Sequence, residues 1–213
     1  MEVDSIQTAL MFLEKALLAS LVFLEVCILV VYTRKILAFS KVQGDAEKWI
    51  GIFTKHLRKE ISPEVVLAPG EAGTIVGRVV MAGMDNQGLA PEALERIFDV
   101  QESSERRELG RGLVFMASVG SNAPFLGLTG TVIGILIAFS RFSATGGSGS
   151  LEVMSAISQA LVATVAGLLV AIPAVIFYNV LSSRSRAILD KAREVRGVIM
   201  ARALHIALVR EEV

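Results

Sequence analysis

The chain has 213 residues, balances 21 basic against 21 acidic side chains, and carries one cysteine and two histidines. Zero net charge excludes a general nucleic-acid binder, which needs a basic excess to neutralise phosphates. The lone Cys27 excludes an internal disulfide or a cysteine-clustered zinc site, and His56 and His205 leave little for a histidine site. With 53% hydrophobic residues and a mean hydropathy of +0.61, the composition is that of a membrane protein.

The apolar residues fall in three runs. Residues 16–33 read ALLASLVFLEVCILVVYT, with Glu25 as the one charge. Residues 113–139 (LVFMASVGSNAPFLGLTGTVIGILIAF) and 153–180 (VMSAISQALVATVAGLLVAIPAVIFYNV) carry none. About 20 apolar residues cross a bilayer core as a helix, and uncharged soluble helices of this length are rare. The chain is therefore expected to be an all-α membrane protein with three transmembrane helices, at 16–33, 113–140 and 153–180. The first run follows Glu2, Asp4 and Glu14 and is long for a secretory core, so a cleaved signal peptide is not expected.

Orientation follows from the cations. Lys15 precedes the first run and Arg141 follows the second, while the other 19 of 21 Lys and Arg lie in residues 34–112 or 181–213. Positive-inside bias places residues 1–15 and the 141–152 connection outside, and residues 34–112 and the 181–213 tail in the cytoplasm.

The 34–112 segment reads as mostly helical. Trp49, Ile50, Phe53 and Leu57 recur at helical spacing in 41–60, and Ser62-Pro63 with Pro69-Gly70 make 61–70 a connection. An apolar-rich helix is expected at 71–84, then a break over 85–91. A longer helix begins at Pro91 and is expected to run directly into the second span. Spaced apolar residues from Ile188 to Leu208 predict that the tail continues the third span, and the Gly-Ser run 146–150 predicts a flexible outer loop.

The two uncharged spans carry faces of small residues. Ala156, Ala160, Ala163, Gly167, Ala171 and Ala174 share one helix face, and Ala123, Gly127, Gly130, Gly134 and Ala138 share another. Small residues let helix backbones approach closely in lipid. Such faces serve either packing within one chain or packing between subunits, and three helices alone cannot enclose a pore. Thr131 lies on the small face of span two and Thr164 beside that of span three. Each hydroxyl can satisfy itself on its own helix, or the two can line a narrow wet seam. Pro124 and Pro173 each remove a helix hydrogen bond and predict bent spans.

The stretches APFLGLTGTVIGILIAF at 123–139 and ISQALVATVAGLLVAIPAVIFYNV at 157–180 closely resemble the MotA/TolQ/ExbB proton-channel family, ExbB and TolQ above all. Three spans with a large cytoplasmic middle also match that branch, whereas the MotA branch has four. The resemblance implies a bacterial inner-membrane ring, pentameric, around an ExbD- or TolR-like single-span partner with a membrane aspartate. The 1–15 segment and 141–152 loop would then be periplasmic. It further implies protons as the transported ion, no cofactor, no enzyme activity, and Thr131, Thr164 and Gln159 as pore-lining positions. Gly127, Gly130, Gly134, Ala160, Ala163 and Gly167 become helix-packing positions.

The family usually has a glutamate where this chain has Gln159. A carboxylate there can take up and release a proton, whereas an amide only hydrogen-bonds. Two functions follow. One is a subunit that uses the proton motive force to drive its partner in transport, envelope or motility work. The other is a non-conducting ring subunit of structural role. Glu25 is an intramembrane carboxylate in span one, a functional candidate that is equally served by being protonated within the span.

Overall fold

The structure, a computed structural model, describes residues 2–42, 46–57, 71–86, 88–144 and 150–211. Among these, all regular structure is helical: α1 (Glu2–Val42), α2 (Ala46–Leu57), a 3-10 turn (Glu71–Gly73), α3 (Ile75–Asp85), α4 (Pro91–Gly110), α5 (Leu113–Ala144) and α6 (Ser150–Glu211). The expected 61–70 connection and residues 146–149 of the Gly-Ser run lie outside the described residues.

Helices α1, α5 and α6 each contain a stretch long and apolar enough to cross a membrane. Their outward faces carry large apolar side chains, among them Phe23 and Val26 on α1, Phe125 and Leu128 on α5, and Leu161 and Leu169 on α6, all exposed. A surface of this kind suits lipid rather than water.

The chain divides into two compact units, Met1–Thr33 with Gly112–Val180 and Arg34–Arg111 with Leu181–Val213. In the first, Leu21 and Ile28 of α1 pack with Val119 and Ala123 of α5 and Val170, Ala171 and Ala174 of α6. The Tyr32 and Phe177 rings stack with centroids 4.0 Å apart.

The second unit holds α2, α3, α4 and the end of α6 around a core that includes Trp49, Val76, Val80, Phe98, Leu181 and Val195. Thr74 caps α3, its hydroxyl accepting from the Gly77 N–H at 3.0 Å. Glu105 is buried and is met by a two-pronged Arg78 guanidinium, Nε at 2.6 Å from one oxygen and Nη2 on the other. The side-chain hydrogen bond to Glu105 holds the Arg78 pKa above the usual guanidinium value. Arg193 donates from both Nε and Nη2 to one oxygen, Oε1, of Glu102, and this hydrogen bonding holds the Glu102 carboxyl below the usual carboxylate range. Lys35 donates to the carbonyls of Glu108 and Leu109, at 2.9 and 2.8 Å, and so closes the C-terminal end of α4.

One expectation is corrected. Helix α4 does not run into span two: it stops at Gly110, and Gly112 stands at φ +79° before α5 begins. That region is open to glycine and strained for other residues. A methyl there would also approach Val31 Cγ1 to 2.9 Å. The tail does continue the third span, since α6 runs unbroken from Ser150 to Glu211.

Candidate functional site

The small faces of α5 and α6 meet each other within the chain. A methyl on Gly127 would come within 2.7 Å of the Ala163 carbonyl oxygen and 3.1 Å of the Gly167 Cα. One on Gly167 would meet the Ala123 carbonyl at 2.7 Å, and one on Gly130 the Ala163 methyl at 2.7 Å. Gly134 abuts Ala160 in the same way. All six residues expected to pack the helices are therefore in this one seam, and backbone approaches of this order are available only to glycine and alanine. Pro124 and Pro173 lie inside α5 and α6, which continue through them.

Thr131 and Thr164 are brought together at the middle of the seam. Their hydroxyls are hydrogen-bonded to each other. Thr131 Oγ1 also lies 3.2 Å from the Gly127 carbonyl and 3.4 Å from the Ala160 carbonyl, and Thr164 Oγ1 3.5 Å from the Gly127 carbonyl. Thr131 is only 8% exposed, while Thr164 retains partial exposure. The pair is thus an enclosed hydroxyl backed by one that reaches the chain's surface, with two carbonyls as alternative acceptors. A hydroxyl both donates and accepts, so this group can reverse its hydrogen-bond direction without moving heavy atoms.

The remaining polar side chains of the spans behave differently. Thr129, Ser121 and Asn122 are exposed and donate back to their own helix, to the carbonyls of Phe125, Ala117 and Ser118. Gln159 is exposed, beside Ala160 but outside the seam. Glu25 is partly buried, and its Oε2 is enclosed with no hydrogen-bond partner.

Span one contributes more than its sequence discloses. Gln7 donates to Ser140 Oγ at 2.5 Å, Arg141 Nη2 lies 3.3 Å from Met11 Sδ, and Glu14 Oε1 lies 3.6 Å from where a Gly134 methyl would stand. With Leu21, Ile28 and the stacked Tyr32, these residues share one face of α1, separated by three, four or seven positions. The repeat 7, 11, 14, 21, 25, 28, 32 was available in the sequence, but its polar members concealed it.

No group of three or more His, Cys, Asp or Glu side chains that could hold a metal ion occurs among the described residues.

An all-helical chain with three membrane-length helices and a glycine–alanine seam enclosing paired threonines has the features of a multi-pass, channel-type membrane subunit. Residues 71–194, more than half the chain, match the MotA/TolQ/ExbB proton channel family, and the chain belongs to it. Over 108 residues it is 38% identical to the biopolymer transport protein ExbB-like 2 of Helicobacter pylori, an alignment covering 46% of this chain and 72% of that one. It is 40% identical over 100 residues to the Tol-Pal system protein TolQ of Pseudomonas aeruginosa, covering 47% and 43% respectively. It is 42% identical over 106 residues to the biopolymer transport protein ExbB of Neisseria gonorrhoeae, covering 50% and 46%. The alignments thus span less than half the length of the TolQ and ExbB relatives.

Proposed function

We propose that this chain is the ring-forming subunit of an inner-membrane proton-driven motor. Five copies surround an ExbD- or TolR-like single-span partner, and protons pass beside the Thr131–Thr164 pair to an aspartate on the partner's helix. The N-terminus and the α5–α6 connection face the periplasm, and the second compact unit lies in the cytoplasm, the side on which the cations concentrate. The partner's movement then powers transport, envelope or motility work.

The observation that carries this reading is the hydroxyl pair itself. In a seam otherwise built of glycine, alanine and larger apolar residues, two helices of the family-matched region place their threonines in mutual hydrogen bonding. Helix packing alone does not require it, because alanine fills the other close contacts. Thr164, partly open at the chain surface, is the member that would meet a guest helix, with Thr131 behind it.

The test is co-purification in mild detergent with a co-expressed ExbD- or TolR-like single-span protein, followed by counting chains and reconstitution into liposomes. The reading predicts a ring with the partner inside and an inward proton flux under an imposed pH gradient. A monomeric particle, or one carrying no flux with the partner bound, contradicts it.

A further inference from the structure

The apolar stretches of α5 and α6 contain no acid: from Leu113 to Phe139 and from Val153 to Val180 there is no Asp or Glu. Helix α1 brings a carboxylate to one end of the threonine seam. Glu14 Oε1 lies 3.6 Å from the position a Gly134 side chain would take, and Gly134 abuts Ala160 across the seam. The Ala160 carbonyl is in turn 3.4 Å from Thr131 Oγ1. Gly134 is three residues from Thr131, a rise of about 4.5 Å, so the carboxylate stands one helical turn from the hydroxyl pair.

The register of α1 makes this placement robust. Gln7 is tied to Ser140 and Met11 sits under Arg141 on one side of Glu14, while Leu21 and Ile28 are locked in the core on the other. Glu14 is half-buried, so it is not sealed from water. The charged group near it on α5 is Arg141, whose guanidinium lies over Met11, one turn away. On α6 the residues at this level, Ala156, Gln159, Ala160 and Ala163, are uncharged, and Lys15 adjoins it on α1.

We propose that Glu14 is the proton-accepting carboxylate at the outer end of the Thr131–Thr164 seam, supplied by span one. It takes a proton from the outer aqueous side and returns it toward the hydroxyl pair; no bond other than O–H forms or breaks, and the carboxylate is regenerated at each passage. This rests on the proton-motor reading of the same seam.

The experiment compares proton flux of the full chain with its partner in liposomes, followed by an internal pH dye, for wild type, Glu14→Gln, Glu14→Asp and Thr164→Val. Ring assembly is checked by size-exclusion chromatography. Expected is a fall of about a hundredfold for Glu14→Gln, the scale at which a positioned proton-transfer group contributes. Glu14→Asp should retain flux with a displaced pH profile, a readout that a merely structural role would not move. Glu14→Gln rings that assemble and conduct like wild type, while Thr164→Val does not conduct, would overturn the assignment of Glu14 alone. Full conduction by both variants would remove the seam as the proton path, and Glu14 with it.

Discussion

Thr131 on α5 and Thr164 on α6 share a hydrogen bond across the glycine–alanine seam, and Thr131 is the more enclosed of the two. The bond depends on close helix approach at Gly127 and Gly167. Moving the helices apart by even one methyl would separate the hydroxyls before it exposed much apolar surface. Helix packing and the hydroxyl pair are thus coupled at one place.

Substituting a glycine in the seam should therefore damage more than stability. In Gly127→Ala the new methyl meets the Ala163 carbonyl at 2.7 Å and the Gly167 Cα at 3.1 Å. Overpacking of this kind costs about 1–3 kcal/mol. By contrast, Gly197 on α6 has nothing within 4 Å of an added methyl. There Gly197→Ala should be neutral or stabilise by about 0.5–1 kcal/mol through helix propensity. Unfolding of the detergent-solubilised protein, followed by helical circular dichroism, should place Gly127→Ala below wild type and Gly197→Ala at or above it.

The Glu102–Arg193 pair gives a pH signature in the second unit. The Glu102 pKa is lowered by its Arg193 hydrogen bond. Its stabilising contribution is therefore present above the ordinary glutamate range and is lost as the pH falls through the lowered folded value. Both side chains keep some exposure, so the contribution is about 1 kcal/mol or less. Arg193→Ala should melt below wild type at neutral pH. The two melting curves should begin to converge as the pH falls below the ordinary glutamate range and close further as it passes the lowered folded value. A difference that stays constant through the acid range would show that the pair acts through packing.

Gln159 is exposed and stands outside the seam. Gln159→Glu should consequently leave the α5–α6 packing intact and keep or raise the proton flux in liposomes, since it adds a titratable group without disturbing a contact. Loss of flux would show that the amide itself is required, and wild-type rings without flux would favour a structural subunit.

Much of the seam was legible in the sequence. Ala160, Ala163 and Gly167 fall on one face of a 3.6-residue repeat, as do Gly127, Gly130 and Gly134, and the threonines fall beside them. Spacing could not decide whether those faces meet inside one chain, because a small face fits a neighbouring subunit equally well. The end of α4 is hidden for another reason: both flanks of Gly112 favour helix, and the run is broken by the extended Arg111 and the positive φ of Gly112. In the sequence Glu14 looks like a flanking charge, because its place beside Gly134 depends on the register of three helices. The same register places Glu25 between Leu21 and Ile28 on the inward face of α1, with one oxygen enclosed and unpaired.

The most direct measurement is proton flux through reconstituted rings carrying Thr164→Val, a change that keeps the side-chain shape and removes only the hydroxyl. Flux should be abolished while the rings still assemble with their partner. Wild-type flux in assembled Thr164→Val rings, repeated with Thr131→Val, would contradict a proton path beside these two hydroxyls.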